Sequence, residues 1–361
     1  MTPTTKQRPK PQAKAGAPVS KSPWRVHSTS WWSFRFHGST ALLILIALGL
    51  SAAVAVFAMT IGDVPLAAKD VLTALWSQAD AKTEFVVFRL RLPRLLLGFL
   101  VGMALAMSGA IFQGVTRNDL VAPDIIGVTS GAGAAGFIWI LITHNVAFLP
   151  VVVFIGAVAT TMAVYFLAKR GNLDPARLVL VGIGMQTLLG AAEAYMVRRF
   201  PIQDVVWADN LLIGSLSRAS WSDVSLIALG LVVALPIALA RINALRLIAL
   251  GEDVAATSGI HVERTRLVLI CVGCWLAAIA VSVAGLIGFV ALVVPHIVRL
   301  MVGQITALSL LLTGIVGGLL TIIADVVGAH FMPVPVPVSV VIAAIGAPYF
   351  LIVFTLFQRR R

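Results

Sequence analysis

Long apolar runs separated by short polar ones make up most of the chain. They fall at residues 40–61, 94–115, 125–143, 146–168, 178–197, 221–241, 267–284, 286–302, 306–328 and 337–357. About 20 apolar residues in helical geometry cross the hydrocarbon of a bilayer, so the pattern predicts an all-α integral membrane protein with about ten transmembrane helices. Two polar intervals stand apart. Residues 1–37 carry Pro, Lys, Ser and Thr without apolar periodicity until Trp24, Trp31, Trp32, Phe34 and Phe36. This predicts a disordered basic arm ending in an interfacial aromatic anchor, ahead of a polytopic domain over 38–361. A cleaved signal peptide is the rival reading, opposed by the length of the basic region and by a following run long enough to span. The second interval is LGEDVAATSGI, Leu250 to Ile260, within a segment over about 243–265. Small and acidic residues between two spans cannot be buried in lipid, which predicts a helix-turn-helix in water, facing a soluble partner.

Composition agrees with lipid as the solvent: 59% of residues are hydrophobic and 12% charged, with a mean hydropathy of +0.99. The net charge of +12 does not imply a nucleic-acid partner, because the basic residues flank the spans. Lys6, Arg8, Lys10, Lys14, Lys21, Arg25 and Arg35 crowd the first polar interval, and Arg359, Arg360 and Arg361 follow the last span. Threading the chain from a cytoplasmic N-terminus puts nineteen of the 27 Lys and Arg inside and eight outside, so both termini are expected in the cytoplasm of a multi-pass inner-membrane protein. Arg89, Arg91 and Arg94 are exceptions, in what reads as a loop outside the membrane.

No lysine follows a glycine, so the G-K pair of a phosphate-cradling loop is missing, and any ATP is used by a partner subunit. No nucleophile, base and acid pattern suggests an enzyme. Cys271 and Cys274 lack a second pair or a histidine cluster, and read as small core residues rather than metal ligands. Glycines four apart, Gly98 and Gly102, Gly127 and Gly131, Gly314 and Gly318, predict close helix approach. Ionisable groups within the spans are few. Glu193 either lines a route through the bundle or pairs with Arg198 or Arg199, Asp325 faces water, a partner or the route, and His296 is a structural histidine. Met185, Gln186, Met196, Met103 and Met107 either line a soft pathway or pack.

Four ordered blocks resemble the FecCD permeases, the membrane subunits of ABC importers for ferric siderophores, haem and cobalamin. The first is RLPRLLLGFLVGMALAMSGAIFQGVTRNDLVAPDIIGVTSGAG, from Arg91 to Gly133; the second is LGEDVAATSGI. GLIGFVALVVPHIVRL, from Gly285 to Leu300, and IGAPYFL, from Ile345 to Leu351, are the others. The resemblance covers residues 89 to 357 and implies ten helices per subunit, with two subunits, identical or related, around a central pathway. Several positions depart from it. Asp119 stands in place of a loop proline within Arg117 to Val121, Ala291 replaces a glycine, Leu211 stands where a tryptophan is usual, and Ala329 and His330 follow Asp325 where an arginine is common.

The resemblance implies that Leu250, Gly251, Glu252, Asp253, Ala255, Ala256, Ser258 and Gly259 couple the chain to a separate ATPase subunit. From the residues themselves, Gly251 and Gly259 permit chain reversals, and Glu252, Asp253 and Ser258 are expected to cap a short helix. Arg91 and Arg94 correspond to arginines that receive carboxylates of an extracytoplasmic substrate-binding protein; snorkelling toward headgroups is their plain alternative. The expected function is uptake of a ferric siderophore, with haem or cobalamin as alternative cargo. Proton-coupled secondary transport is the alternative of another class. No cofactor or metal is expected on the chain itself.

Overall fold

The structure is a computed structural model describing residues 25–28, 33–36, 38–62, 64–76, 80–170 and 172–358. Trp24, Trp31, Trp32 and Arg359 to Arg361, to which the sequence reading assigned anchoring and orienting roles, lie outside them. Within the arm expected to be disordered, β1 (Arg25–Ser28) and β2 (Ser33–Phe36) pair antiparallel.

The rest is helical. α1 (Gly38–Thr60) is followed by the short α2 (Ala68–Trp76) and α3 (Ala81–Phe85). A π-helical turn, Val86–Arg91, then runs directly into α4 (Leu92–Thr116). Arg89, Arg91 and Arg94 therefore sit on a continuous helix rather than in the expected loop. Pro93 falls where the π-helical turn passes into α4, and the Phe88 carbonyl one π-turn before it accepts from Trp221 Nε1 at 2.9 Å instead. A 3₁₀ turn, Pro123–Ile126, leads to α5 (Val128–Thr143) and α6 (Leu149–Ala168). The two-residue strands β3 (Lys169–Arg170) and β4 (Asn172–Leu173) turn the chain into α7 (Pro175–Arg199), capped by the Asp174 carboxylate accepting from the Ala176 N–H at 3.0 Å. There follow α8 (Ile202–Leu212), α9 (Trp221–Ala240), α10 (Ile242–Leu250) and α11 (Glu252–Thr257). α12 (Val262–Ala284), α13 (Val290–Val302), α14 (Ala307–His330) and α15 (Val338–Gln358) complete the bundle. Reciprocal capping boxes, Ser220 with Asp223 and Thr306 with Ser309, start α9 and α14 where those spans were predicted to begin.

Among the described residues, seven helices are long and apolar enough to cross a membrane, and three shorter apolar ones, including α5 and α13, occupy the remaining predicted runs. Every predicted span thus has its helix. Two hairpins are longer than their sequence suggests. His144 and Phe289 adopt left-handed backbone, and the turns extend over 144–148 and 285–289. Residues 286–289 are lost to α13 because the chain there is used otherwise: the Leu286 N–H donates to the Leu212 carbonyl at 3.0 Å, and the Ser215 N–H to that of Ala284 at 2.9 Å. The Ser339 N–H reaches the Gly214 carbonyl, so this strand-like splice also holds the start of α15.

α4 and α14 form the centre of the bundle. A Cβ on Gly102 would collide with the Gly317 carbonyl and the Thr321 hydroxyl, and one on Gly314 would lie 2.8 Å from Met103 Cγ. Of the predicted glycines, Gly102 meets Gly317, Gly314 and Gly318 receive Met103 and Phe99 of α4, and Gly98 meets Leu216; such close approach is how apolar helices gain packing where lipid supplies no hydrophobic drive. Likewise, Gly131 of α5 meets Gly156 of α6. Buried polar side chains bind across the interfaces: Ser108 Oγ donates to the Gly273 carbonyl of α12 at 2.6 Å, and Gln113 Nε2 to that of Leu292 of α13 at 3.1 Å. Asp124, in the 3₁₀ turn between the spans, is hydrogen-bonded by Thr129, and burial pushes its carboxyl up to about 6.

Candidate coupling and docking sites

α10 and α11 make the predicted helix-turn-helix, and backbone conformation explains both glycines. Gly251 joins the helices at φ 148° and ψ 149°, a region essentially reserved for glycine. Gly259, at φ 79°, closes α11 in a Schellman motif, with the Gly259 N–H on the Ala256 carbonyl and the Ile260 N–H on that of Ala255. The expected side-chain caps are absent. Gly251 is itself the N-cap, Glu252 and Asp253 occupy the first turn, where the helix dipole favours a carboxylate, and Ser258 Oγ donates back to the Val254 carbonyl at 2.7 Å. Ala255 is fully buried and seats the unit on the bundle. Asp253, Ala256, Ser258 and Gly259 are exposed, and Leu250 and Val254 project at 69% and 44% exposure. Val254 was missed from sequence because one valine in a polar interval carries no signal. Leu300 and Met301, at the end of α13, are exposed at the same end of the bundle.

Glu252 points into the bundle. Its Oε1 accepts from Arg266 Nη2 of α12 at 2.6 Å and lies 3.7 Å from Arg117 Nη2. The Arg266 side chain is only 3% exposed. Arg117 ends α4 in left-handed backbone at φ 52° and begins the loop Arg117–Leu120. Asp119, where the resemblance expects proline, takes an ion pair from Arg299 of α13, which also reaches Gln113 Oε1 at 3.3 Å. The exchange of proline for aspartate thus has a partner in the fold. Outside the loop, Lys169 pairs with Glu263 at 2.6 Å, and that hydrogen bond raises the lysine above its ordinary pKa.

At the opposite end, Arg94 and Asp325 join α4 to α14 by two hydrogen bonds, Nε to Oδ2 at 2.7 Å and Nη2 to Oδ1 at 2.8 Å. Asp325 was expected to face water, a partner or the route; it is instead the counter-ion of Arg94, a pairing across 231 residues that no local pattern shows. Arg91 donates to the Met59 and Val64 carbonyls and so fastens the turn after α1. Both arginines line a cavity of about 310 Å³ together with Asp325 and His330, while Arg89 is exposed.

The residues considered for a pathway separate. α7 buries only Leu178 and Gly182, which leaves Gln186 exposed and Met185 and Met196 half-buried. Glu193 makes no ion pair with Arg198 or Arg199 among the described residues; its Oε1 would lie 3.3 Å from a Cβ on Gly133 of α5. Met107 is fully buried, and Met103 lies beside it against Gly314, so neither belongs with α7. They fill the space left by a glycine in the α4–α14 interface, a packing use of methionine. His296 is buried with its ring edge-on to Tyr349, as a structural histidine. Cys274 is buried, but Cys271 is exposed, contrary to its expected place in the core.

Residues 42–355 match the FecCD transport family. The chain is 36% identical over 328 residues to the probable siderophore transport system permease YfhA of Bacillus subtilis, covering 88% of this chain and 95% of that one. It is 38% identical over 271 residues to the cobalamin import system permease BtuC of Halobacterium salinarum, covering 74% and 73%. Among solved structures, an inward-facing conformation of a metal-chelate type ABC transporter superposes with a TM-score of 0.79 at 27% identity, over 87% of this chain and 99% of the other.

Proposed function

Because the chain belongs to the FecCD transport family, we propose that it is the membrane-spanning permease subunit of an ABC importer that carries a ferric siderophore across the cytoplasmic membrane. The carrying observation is the α10–α11 unit. It is fastened to the bundle by Ala255 and Glu252 and presents Leu250 and Val254 outward. Exposed apolar side chains on a rigid polar stalk suit a groove on a soluble protein, and the occupant that family membership implies is an ATPase subunit. ATP is bound and split there, not on this chain. The α11 end then faces the cytoplasm, and the Arg94–Asp325 end faces outward.

A second permease subunit, identical or related, meets this one along α7. Such a contact would cover Gln186 and Met185 and place Glu193 beside a passage rather than against lipid, where a central carboxylate would cost about 2.5–3.5 kcal/mol. A substrate-binding protein docks at the outer corner formed by Arg89, Arg91 and Arg94. Arg89 offers a free charge there, and Arg94 keeps Nη1 without a hydrogen bond among the described residues. Alternating access follows from the ATPase pair closing beneath the two permeases and tilting them against each other. Cobalamin is the second reading for the cargo, favoured by the identity to the halobacterial permease.

Co-purification from the native membrane tests the reading, followed by uptake into proteoliposomes with ATP inside and loaded binding protein outside. An associated ATPase and ATP-dependent accumulation of ferric siderophore are expected. Accumulation of cobalamin or haem instead would replace the cargo. Uptake by the chain alone on a proton gradient would overturn the assignment in favour of secondary transport.

A further inference from the structure

We propose that the loop Arg117–Leu120 is the point at which motion of α11 enters the bundle, with Glu252 and Arg117 as the positioning residues that carry it. The inference rests on the permease reading and adds a route that the reading does not specify.

Two elements at this end are tied to the loop by charge. Arg117 faces Glu252 of α11, and Asp119 is held by Arg299 of α13. Glu252 stands at the first position of α11, so any tilt of that helix displaces its carboxylate directly. The same Oε1 is held by Arg266, whose nearly unexposed side chain belongs to the spanning helix α12. A carboxylate gripped from two elements passes displacement to both.

The loop is built to transmit rather than absorb. The Asn118 N–H donates to the Gln113 carbonyl at 3.2 Å, the Val121 N–H to the Asn118 carbonyl at 3.2 Å, and Asn118 Oδ1 accepts from the Leu120 N–H at 3.0 Å. Arg117 itself is locked in left-handed backbone. Bonded once within itself and tied to Gln113 before it and Val121 after it, the loop moves with the end of α4 as a body.

What the loop would move lies across a cleft of about 710 Å³. Thr116, Arg117, Asn118 and Val121 form one wall, and Asp174 to Ala176 with Val179, the foot of α7, form the other. Among the long apolar helices described, α7 is the least buried, with only two buried residues. A shift of the Arg117 wall therefore changes the room available to the foot of the helix assigned to the passage. Two tasks of the coupling segment separate on this view. Leu250 and Val254 meet the ATPase, while Glu252 faces away from it and works the lever.

The test uses the whole complex in proteoliposomes. Glu252→Gln keeps the side-chain shape and Arg117→Gln shortens it to a polar amide; each removes one charge. For both, the ATPase is expected to co-purify, while ATP consumed per chelate imported rises at least tenfold. The double variant should be no worse than Glu252→Gln alone, since that change already breaks the link to Arg117 along with the one to Arg266. Spin labels at Thr257→Cys on α11 and Ala176→Cys at the foot of α7, with Cys271→Ser and Cys274→Ala, read the motion. ATP should change their separation in the parent protein and leave it unchanged in Arg117→Gln. A purely structural role would lower the yield of complex and leave the ATP-to-chelate ratio alone, and that result overturns the proposal. So does loss of the ATPase from the Glu252→Gln complex, which would make Glu252 a docking contact. Failure of the parent chain to bring down any ATPase would strike the permease reading instead.

Discussion

Removing either member of the Arg94–Asp325 pair separates a structural role for Arg94 from a docking one. The pair is bidentate, with side-chain exposures of 32% and 10%. An exposed pair is worth about 0–1 kcal/mol, and stripping one partner from a fully buried pair costs about 3–5 kcal/mol. At this intermediate burial, a coupling of about 2 kcal/mol is expected, close to a thirtyfold change in the folding equilibrium. The assay is a double-mutant cycle of Arg94→Ala, Asp325→Ala and the double variant, unfolded in detergent by denaturant and followed by tryptophan fluorescence. The two single losses should exceed the double loss by that coupling. Binding of the substrate-binding protein supplies an independent axis. Asp325→Asn weakens the grip on the guanidinium, so it should lower stability yet tighten docking severalfold, whereas Arg94→Ala should weaken both. Losses that add to within about 0.5 kcal/mol would refute a working pair. Weaker docking by Asp325→Asn would refute competition for Arg94.

Three further outcomes are expected. Gly251→Val forces a β-branched residue into φ 148°, where its Cβ would meet Val254 Cγ2 at an ordinary 3.8 Å; backbone strain of about 1–3 kcal/mol should reorient α11 and uncouple hydrolysis from import, measured as ATP split per chelate. Asp124, raised to about 6 from 3.8 by burial, destabilises the fold when ionised. That penalty is absent below about pH 4, grows through the interval to pH 6 and is constant above it, at about 3 kcal/mol by linkage. Asp124→Asn should therefore melt higher than the parent at pH 7.5, with the difference vanishing as the pH falls to 4. Gly102→Val should overpack the α4–α14 contact by about 1–3 kcal/mol, seen as a lower melting temperature and poorer assembly.

The sequence made the spans legible because hydrophobic length is local information, and so were the two glycines that end α10 and α11. Positive φ leaves a mark that a single residue type carries. Pairings across the bundle left no such mark. Asp325 read as an isolated intramembrane acid, Arg94 as a free basic group and Asp119 as a lost proline, because their partners lie 180 or more residues away. The methionines failed for the opposite reason: Met103 and Met107 have the right chemistry for a soft lining, and only the facing Gly314 shows them to be filler. Likewise, Arg89, Arg91 and Arg94 looked like loop residues because the charges obscured a helix continuous with α4.

The sparse burial of α7 bears on how the protein is made. On the proposed assembly, a newly inserted chain without its counterpart shows the bilayer a helix bearing Gln186 and Glu193, with Gly184 and Gly190 meeting nothing within 4 Å where a side chain would stand. Polar groups without partners in hydrocarbon keep such a helix searching for water or for protein. On that proposed assembly, an unassembled copy thus carries its own mark of incompleteness, readable by membrane quality control, and matched synthesis of the subunits would become a condition for the survival of each.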